Sequence, residues 1–222
     1  MSSKILHQSS WAVSPGGKPI ELFSSHHSKD RPLLFIGGVH GDEPEGVEIA
    51  QKFLDWLLKN NKPEFHSWFL IPCLNVDGYS QNNRVNGNGV DLNRNFPSKD
   101  WRSESKAPRY FPGLSPGSEP EVKAVCQLIQ DTKPQAIFHF HSWEPCVVYT
   151  GATGKPWALK VAGNSGYEVR EDIGYPTPGS LGQYGWLNLQ IPVICIEEQE
   201  KSDLTQTWPR FSEGLQKVIQ KV

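Results

Sequence analysis

The stretch Leu33-Leu34-Phe35-Ile36-Gly37-Gly38-Val39-His40-Gly41-Asp42-Glu43-Pro44-Glu45-Gly46 constrains the fold more than any other part of the chain. Its four apolar residues read as a buried strand, and the glycines behind them let the chain turn sharply at the strand's end. Asp42 and Glu45 have the spacing of a capping box, which predicts a helix from about Pro44 to Lys59. Val47, Ala50, Phe53, Leu54, Leu57 and Leu58 then repeat at helical spacing and would face a sheet. A strand that turns through glycine into an amphipathic helix belongs in an open α/β sheet, whose chemistry gathers at the carboxyl ends of the strands. His40 and Glu43 stand in that turn with His-x-x-Glu spacing. The pair suits zinc, but the turn alone leaves open whether His40 is a ligand or a hydrogen-bonded loop histidine.

The same grammar continues along the chain. A second strand is expected at about Ser67 to Cys73. Ser118 and Glu121 form another capping box, opening a helix through Val122, Val125, Cys126 and Ile129. The strand Gln135 to His141 puts Ile137, His139 and His141 on one face and Phe138 and Phe140 on the other. A helix is expected at about Pro156 to Tyr167, a buried strand at Ile191 to Ile196, and a closing amphipathic helix at Asp203 to Val222 through Phe211, Leu215, Val218 and Ile219. Residues 1 to 30 read as an edge hairpin or lead-in strand without chemistry, with His26 and His27 solvated in a polar loop. The expected fold is a single α/β domain over residues 1–222, a twisted, mixed, mostly parallel sheet with helices on both faces.

Polar residues close each strand. His141 falls at the end of its strand, and His139, one pleat back, reads as a buried, hydrogen-bonded histidine. Glu197 and Glu198 stand at the carboxyl end of the last strand. The loop Asn82 to Pro97 is rich in Asn and Gly and carries Arg84 and Arg94; it is either a plain surface loop or one ordered by polar contacts or a ligand. The loop alone leaves both open: its composition suits the first, and two arginines, each able to make forked hydrogen bonds to a carboxylate or oxyanion, argue for the second. His40, Glu43 and His141 make a three-ligand catalytic zinc set with a position left for water, and Glu197 is the evident proton acceptor.

Read together, these residues resemble the zinc carboxypeptidases of the carboxypeptidase A type. The pattern is His40-x-x-Glu43, then Arg84, then Gly-Val-Asp-Leu-Asn93-Arg94-Asn-Phe, then His141-Ser-Trp, then a late Glu197, over about residues 31 to 200. The resemblance implies that His40, Glu43 and His141 bind one zinc ion and that Arg84 polarises the scissile carbonyl and stabilises the oxyanion. It also implies that Asn93 and Arg94 hold the substrate's terminal carboxylate and that Glu197 is general base and then acid. The family's mobile-loop tyrosine corresponds to Tyr175, with Tyr184 as the other candidate. Within the family the chain is most similar to the bacterial murein peptide amidases, which cut γ-D-glutamyl to meso-diaminopimelate bonds. The shared features are the Asn-Asn-Arg84 to Phe-Pro loop and Tyr175-Pro-Thr-Pro-Gly-Ser. The resemblance therefore implies hydrolysis of a small peptide with a free carboxylate.

Charge and composition narrow the rest. Lysine and arginine number 22 against 24 aspartate and glutamate, with no basic block, which argues against nucleic acid and anionic membrane as partners. The start, Met1 to His7, lacks the apolar core of a secretory signal, so a cytoplasmic location is expected. Cys73, Cys126, Cys146 and Cys195 are widely spaced, without a Cys-x-x-Cys pair, and read as reduced, small core residues. Two rival functions share parts of the pattern. The N-acyl amino acid deacylases related to aspartoacylase and succinylglutamate desuccinylase also carry Gly-x-His-Gly-x-Glu and Asp-Leu-Asn-Arg, while a metal-free binding module would require a missing ligand or base.

Overall fold

The structure, a computed structural model, describes residues 4–25 and 30–221, and the expectation for His26 and His27 lies outside them. Among the described residues eight strands form one mixed sheet, in the spatial order β1 (Leu6–Val13), β2 (Pro19–Ser25), β4 (Trp68–Ile71), β3 (Leu33–Ile36), β5 (Ala136–Trp143), β8 (Val193–Gln199), β6 (Cys146–Tyr149) and β7 (Glu168–Arg170). The centre, β4-β3-β5-β8, is parallel. The β1–β2 hairpin borders it antiparallel on one side, and β6 does so on the other. The central strands are apolar on both faces because helices cover both. Helices α1 (Pro44–Asn60), α3 (Lys155–Ala162) and α4 (Leu204–Ile219) enclose Phe35, Phe138 and Phe140 on one side. On the other, α2 (Pro120–Thr132) packs its Val122, Val125 and Ile129 with Leu34, Ile36 and Ile137. The alternation read from 136–141 thus divides the two layers of core.

Several expectations change in detail. Neither capping box forms. In both, a proline follows a glutamate, and Pro44 and Pro120 occupy the first helical position, so Glu43 and Glu119 take the cap position one residue later than the spacing suggests. Asp42 instead accepts from Arg109 Nη2 at 3.2 Å, and Glu45 accepts from Ser142 Oγ at 2.8 Å. Leu58 is 49 % exposed and lies outside the buried stripe of α1. The helix expected to reach Tyr167 ends at Ala162, where Gly163 takes φ 42° and turns the chain toward β7. Strands β6 and β7 were not foreseen; each is short, and β7 lies at the sheet edge with little apolar content. Strands β5 and β8 extend beyond His141 and Ile196, so both His141 and Glu197 lie within the paired ladder.

One close approach fixes how α1 meets the sheet. A Cβ on Gly46 would lie 2.3 Å from the Phe140 carbonyl oxygen, so the first turn of α1 rests directly on β5 just before His141. We expect Gly46→Ala to lower stability by about 1–3 kcal/mol, the scale of overpacking a tight core. Urea denaturation measures this; unchanged stability would show that helix and strand are not in such contact.

Candidate metal centre and active site

The turn after β3, the mouth of α1 and the end of β5 bring three donors together. His40 Nδ1 lies 2.7 Å from Glu43 Oε1, His141 Nδ1 lies 2.7 Å from Glu43 Oε2, and the two Nδ1 atoms are 3.0 Å apart. All three side chains are buried. Each imidazole is held from behind: His40 Nε2 contacts Asp91 Oδ1 at 3.0 Å, and His141 Nε2 contacts His139 Nδ1 at 2.9 Å. Two inward imidazole nitrogens and a carboxylate, with both remote ring nitrogens hydrogen-bonded, form a donor set suited to zinc and leave a fourth position toward the cavity. The ligand atoms of His40, Glu43 and His141 all lie within 4.8 Å of one another.

Arg84 ties this group to the Asn-rich loop. Its Nε donates to Asp91 Oδ2 at 2.9 Å and its Nη1 to Glu43 Oε1 at 3.0 Å, while Nη2 has no partner among the described residues. The loop is ordered by polar contacts. Asn86 Oδ1 accepts from the Val90 and Asn88 amides, both at 3.0 Å, and Asn86 Nδ2 donates to Glu119 at 2.8 Å. Asn95 donates to Pro112 O and Ser118 Oγ and accepts from the Glu119 amide. Leu92 and Phe96 are fully buried beneath it. Asn93 Oδ1 accepts from the Leu181 amide at 3.0 Å, leaving its amide nitrogen as the donor that remains, and Arg94 Nη1 donates to Asn93 O at 2.8 Å.

A cavity of about 240 Å³ joins His40, Glu43, His141, Arg84, Asn93, Arg94, Tyr175 and Glu197. Glu197 is the register partner of His141 across the β5–β8 ladder. Its neighbour Glu198 points to the opposite face, where Tyr167 and Arg210 donate to it. The acidity of the Glu197-Glu198 pair is therefore divided between cavity and core. Tyr175 is half-exposed on the cavity wall, its ring edge-on to Trp143 at 5.3 Å. Tyr184 is buried and stacks on Phe96, so only Tyr175 of the two candidates reaches the cavity.

The electrostatics follow from burial. Burial, reinforced by the Glu43 carboxylate, pushes the Glu197 carboxyl up to about 8. Burial would also raise Glu43, but the facing His40 and His141 outweigh it and hold Glu43 well below the usual carboxylate range. Asp91 is lowered as well, against its own burial, by His40 and Arg84. Burial and the neighbouring His141 push His139 well below the usual imidazole value, so it is neutral near pH 7. Two residues that hold these imidazoles in place, Asp91 behind His40 and His139 behind His141, do not have that role in the sequence reading. The only signal for Asp91 was its place two residues before Asn93, within the Gly-Val-Asp-Leu-Asn-Arg run.

Residues 2–184 match a family model described as zinc carboxypeptidase. The chain is 31 % identical over 203 residues to murein peptide amidase A of Escherichia coli (strain K12), covering 83 % of this chain and 81 % of that protein. It is 27 % identical over 205 residues to murein peptide amidase A of Vibrio campbellii, covering 87 % and 79 %. Among solved structures, the murein-tripeptide amidase of Escherichia coli O157 superposes with a TM-score of 0.80 at 26 % identity, over 98 % of this chain and 92 % of that one. Carboxypeptidase A of Helicoverpa armigera, at 17 % identity, shares the fold with a TM-score of 0.81, over 96 % of this chain and 67 % of that one.

Removing the carboxylate behind His40 tests the donor set directly. Asp91→Ala is expected to weaken zinc binding about 10- to 100-fold, the usual effect of losing such a partner. Competition with a chromogenic chelator measures it, and an unaltered affinity would exclude Asp91 from the metal centre.

Proposed function

The chain belongs to the zinc carboxypeptidase family, and on that premise we propose that it hydrolyses the γ-D-glutamyl to meso-diaminopimelate bond of small murein peptides. Membership makes it a zinc-dependent hydrolase of peptide or amide bonds. The observation that carries the finer reading is the meeting, in one cavity, of the Asn93–Arg94 pair with Glu197 and the His40-Glu43-His141 group. A diaminopimelate residue presents a free carboxylate beside the scissile amide, which a guanidinium and an amide can hold by charge-assisted hydrogen bonds. The similarity to murein peptide amidases over four-fifths of their length supports the same substrate.

In this reading the whole of residues 1–222 acts as one catalytic domain, and His40, Glu43 and His141 hold one zinc ion. Zinc, when bound, supplies positive charge that polarises a carbonyl and acidifies a water. Glu197, a buried carboxylate of raised pKa, would take a proton from the attacking water and return it to the departing amine. Arg84, pinned at Nε and Nη1, keeps Nη2 for the oxygen on which negative charge develops. Asn93 and Arg94 orient the terminal carboxylate, and Tyr175 closes the wall over the leaving residue. Four unpaired cysteines support a reducing, cytoplasmic setting and a role in recycling wall peptides. Among the described residues no helix is long and apolar enough to cross a membrane.

Assaying γ-D-glutamyl-diaminopimelate tripeptide beside N-acetylaspartate and N-succinylglutamate separates this proposal from the deacylases. We expect turnover of the tripeptide, and turnover of the acyl amino acids alone would falsify the amidase assignment. Glu197→Gln is expected to keep zinc and substrate binding while lowering kcat at least about 100-fold. The base acts deprotonated, so kcat/KM should rise with pH through the pKa of Glu197. Because a divalent cation favours the carboxylate, that limb should lie below 8 in the zinc enzyme and vanish in the glutamine variant. Arg94→Ala should cost most on substrates with a free terminal carboxylate and little on their amides; equal losses would remove Arg94 from carboxylate recognition.

A further inference from the structure

The loop that carries Asn93 and Arg94 is fastened at both ends by one short segment from later in the chain. Ahead of the pair, Asn86 closes the turn 86–90: its Oδ1 accepts from the Asn88 and Val90 amides, and its backbone amide donates to Val90 O at 2.9 Å. Behind the pair, Asn95 donates to Ser118 Oγ at 3.0 Å and accepts from the Glu119 amide at 3.1 Å. Asn86 Nδ2 in turn donates to Glu119 Oε2 at 2.8 Å and grazes Glu121 Oε1 and Oε2 at 3.3 and 3.2 Å. Residues 118–121, where α2 begins, thus form a clasp with Asp91 to Arg94 held between its two arms.

The clasp contains two buried carboxyl groups. Glu119 accepts from three neutral donors, Asn86 Nδ2, Asn88 Nδ2 and Ser118 Oγ, which is enough to support a carboxylate. Glu121, with no exposed surface, has only its own backbone amide and the long contacts to the same Asn86 amide group. The short bond to one group and the long ones to the other suit a charged Glu119 beside a neutral Glu121.

The charges around Glu121 favour that state. Glu119 stands beside it, and Asp77 faces it from the short helix Val76–Gln81. Asp77 accepts from the Gly16 amide at 2.7 Å, and the half-exposed Lys18 of that same turn offsets it only from 3.8 Å. On α2 itself Lys123 is exposed, and on β1 the imidazole of His7 pairs with Glu21. Arg84 and Arg94, the loop's own cations, line the catalytic cavity. Burial, reinforced by Glu119 and Asp77, pushes the Glu121 carboxyl up to about 7.

We propose that Glu121 is a positioning residue: as a neutral acid it lets the clasp close on Asn86 and so holds Asn93 and Arg94 in place for the substrate's carboxylate, while its ionisation loosens the loop. The proposal rests on the reading that Asn93 and Arg94 bind that carboxylate. The closed clasp holds the Glu121 proton more tightly than a solvated loop, in which the group returns to its ordinary 4.5. Loop order is therefore fullest below 4.5, is lost as pH rises through 7, and changes little beyond. Between pH 6 and pH 8 the linkage amounts to about tenfold in the ordering equilibrium.

Hydrogen–deuterium exchange of the zinc-loaded protein over residues 86–95, corrected for the intrinsic effect of pH on exchange, reads the clasp without substrate. We expect protection there to fall about tenfold from pH 6 to pH 8 in the wild-type protein and to stay level in E121Q, whose side chain is neutral throughout. D77N removes one like charge and keeps an acceptor for the Gly16 amide, so it should move the transition to lower pH. In hydrolysis of the tripeptide, the wild-type KM should rise over the same interval by about threefold or more relative to that of E121Q. The ratio of the two kcat values should stay constant within about twofold, a split that general loss of structure does not produce. Wild-type protection that is independent of pH overturns the proposal whether or not E121Q folds, and so does an E121Q protein that loses protection as the wild type does. A pH-dependent loop with an unaltered KM keeps the clasp and removes Asn93 and Arg94 from carboxylate binding. A pH-dependent loop in a protein that leaves the tripeptide intact removes the amidase assignment alone.

Discussion

Buried charge has to be balanced, and the centre of this molecule is arranged around that requirement. Glu43, Asp91 and Glu197 are all buried within one connected group. Their three negative charges are met by one positive charge on Arg84 and, in the zinc enzyme, two on the ion. Of the three carboxylates, one is least supported by neighbouring positive charge and holds a proton most readily. That is Glu197, whose carboxyl is pushed up to about 8 while Glu43 and Asp91 are held low. Zinc binding and the ionisation of the base are thus two sides of one balance.

The scaffold serves that balance by supplying rigid positions. The parallel β5–β8 ladder sets His141 opposite Glu197 and His139 opposite Cys195. A slip of one residue would turn each of these side chains to the other face of the sheet. The contact of Gly46 with the Phe140 carbonyl seats α1 against the same strand, so Glu43 arrives beside His141 without a flexible connection. Ser142 lends its amide to Glu43 and its hydroxyl to Glu45, fastening the helix mouth to the strand a second time.

The sequence made the architecture legible wherever one local pattern determined one outcome. The apolar run 33–36 and the alternation through 136–141 formed as expected, and so did the stripe of α1 apart from Leu58. Local signals failed where two of them competed. Asp42 and Ser118 looked like caps, but the prolines after Glu43 and Glu119 set the helix starts. The chain from 82 to 97 could not be read alone, because the groups that order it, Glu119, Ser118 and Pro112, belong to a later segment. Strand β6, Cys-Val-Val-Tyr, is apolar but only four residues long, and β7 is defined by its pairing with β6 more than by its own composition. Asp91 and His139 were visible as residues, but their places behind the imidazoles are properties of the folded chain.

Gly179 shows how tightly the segment bearing Tyr175 is joined to the loop bearing Arg94. It takes φ 74°, its carbonyl accepts from the Phe96 amide, its own amide donates to Ser98 Oγ, and a Cβ there would lie 2.1 Å from the Arg94 carbonyl oxygen. Two stretches more than eighty residues apart in sequence are therefore one piece of the wall. For anyone transplanting specificity between members of this family, the unit of exchange is the pair. A loop moved without its counterpart would arrive with a mismatched backing, whatever side chains it carried.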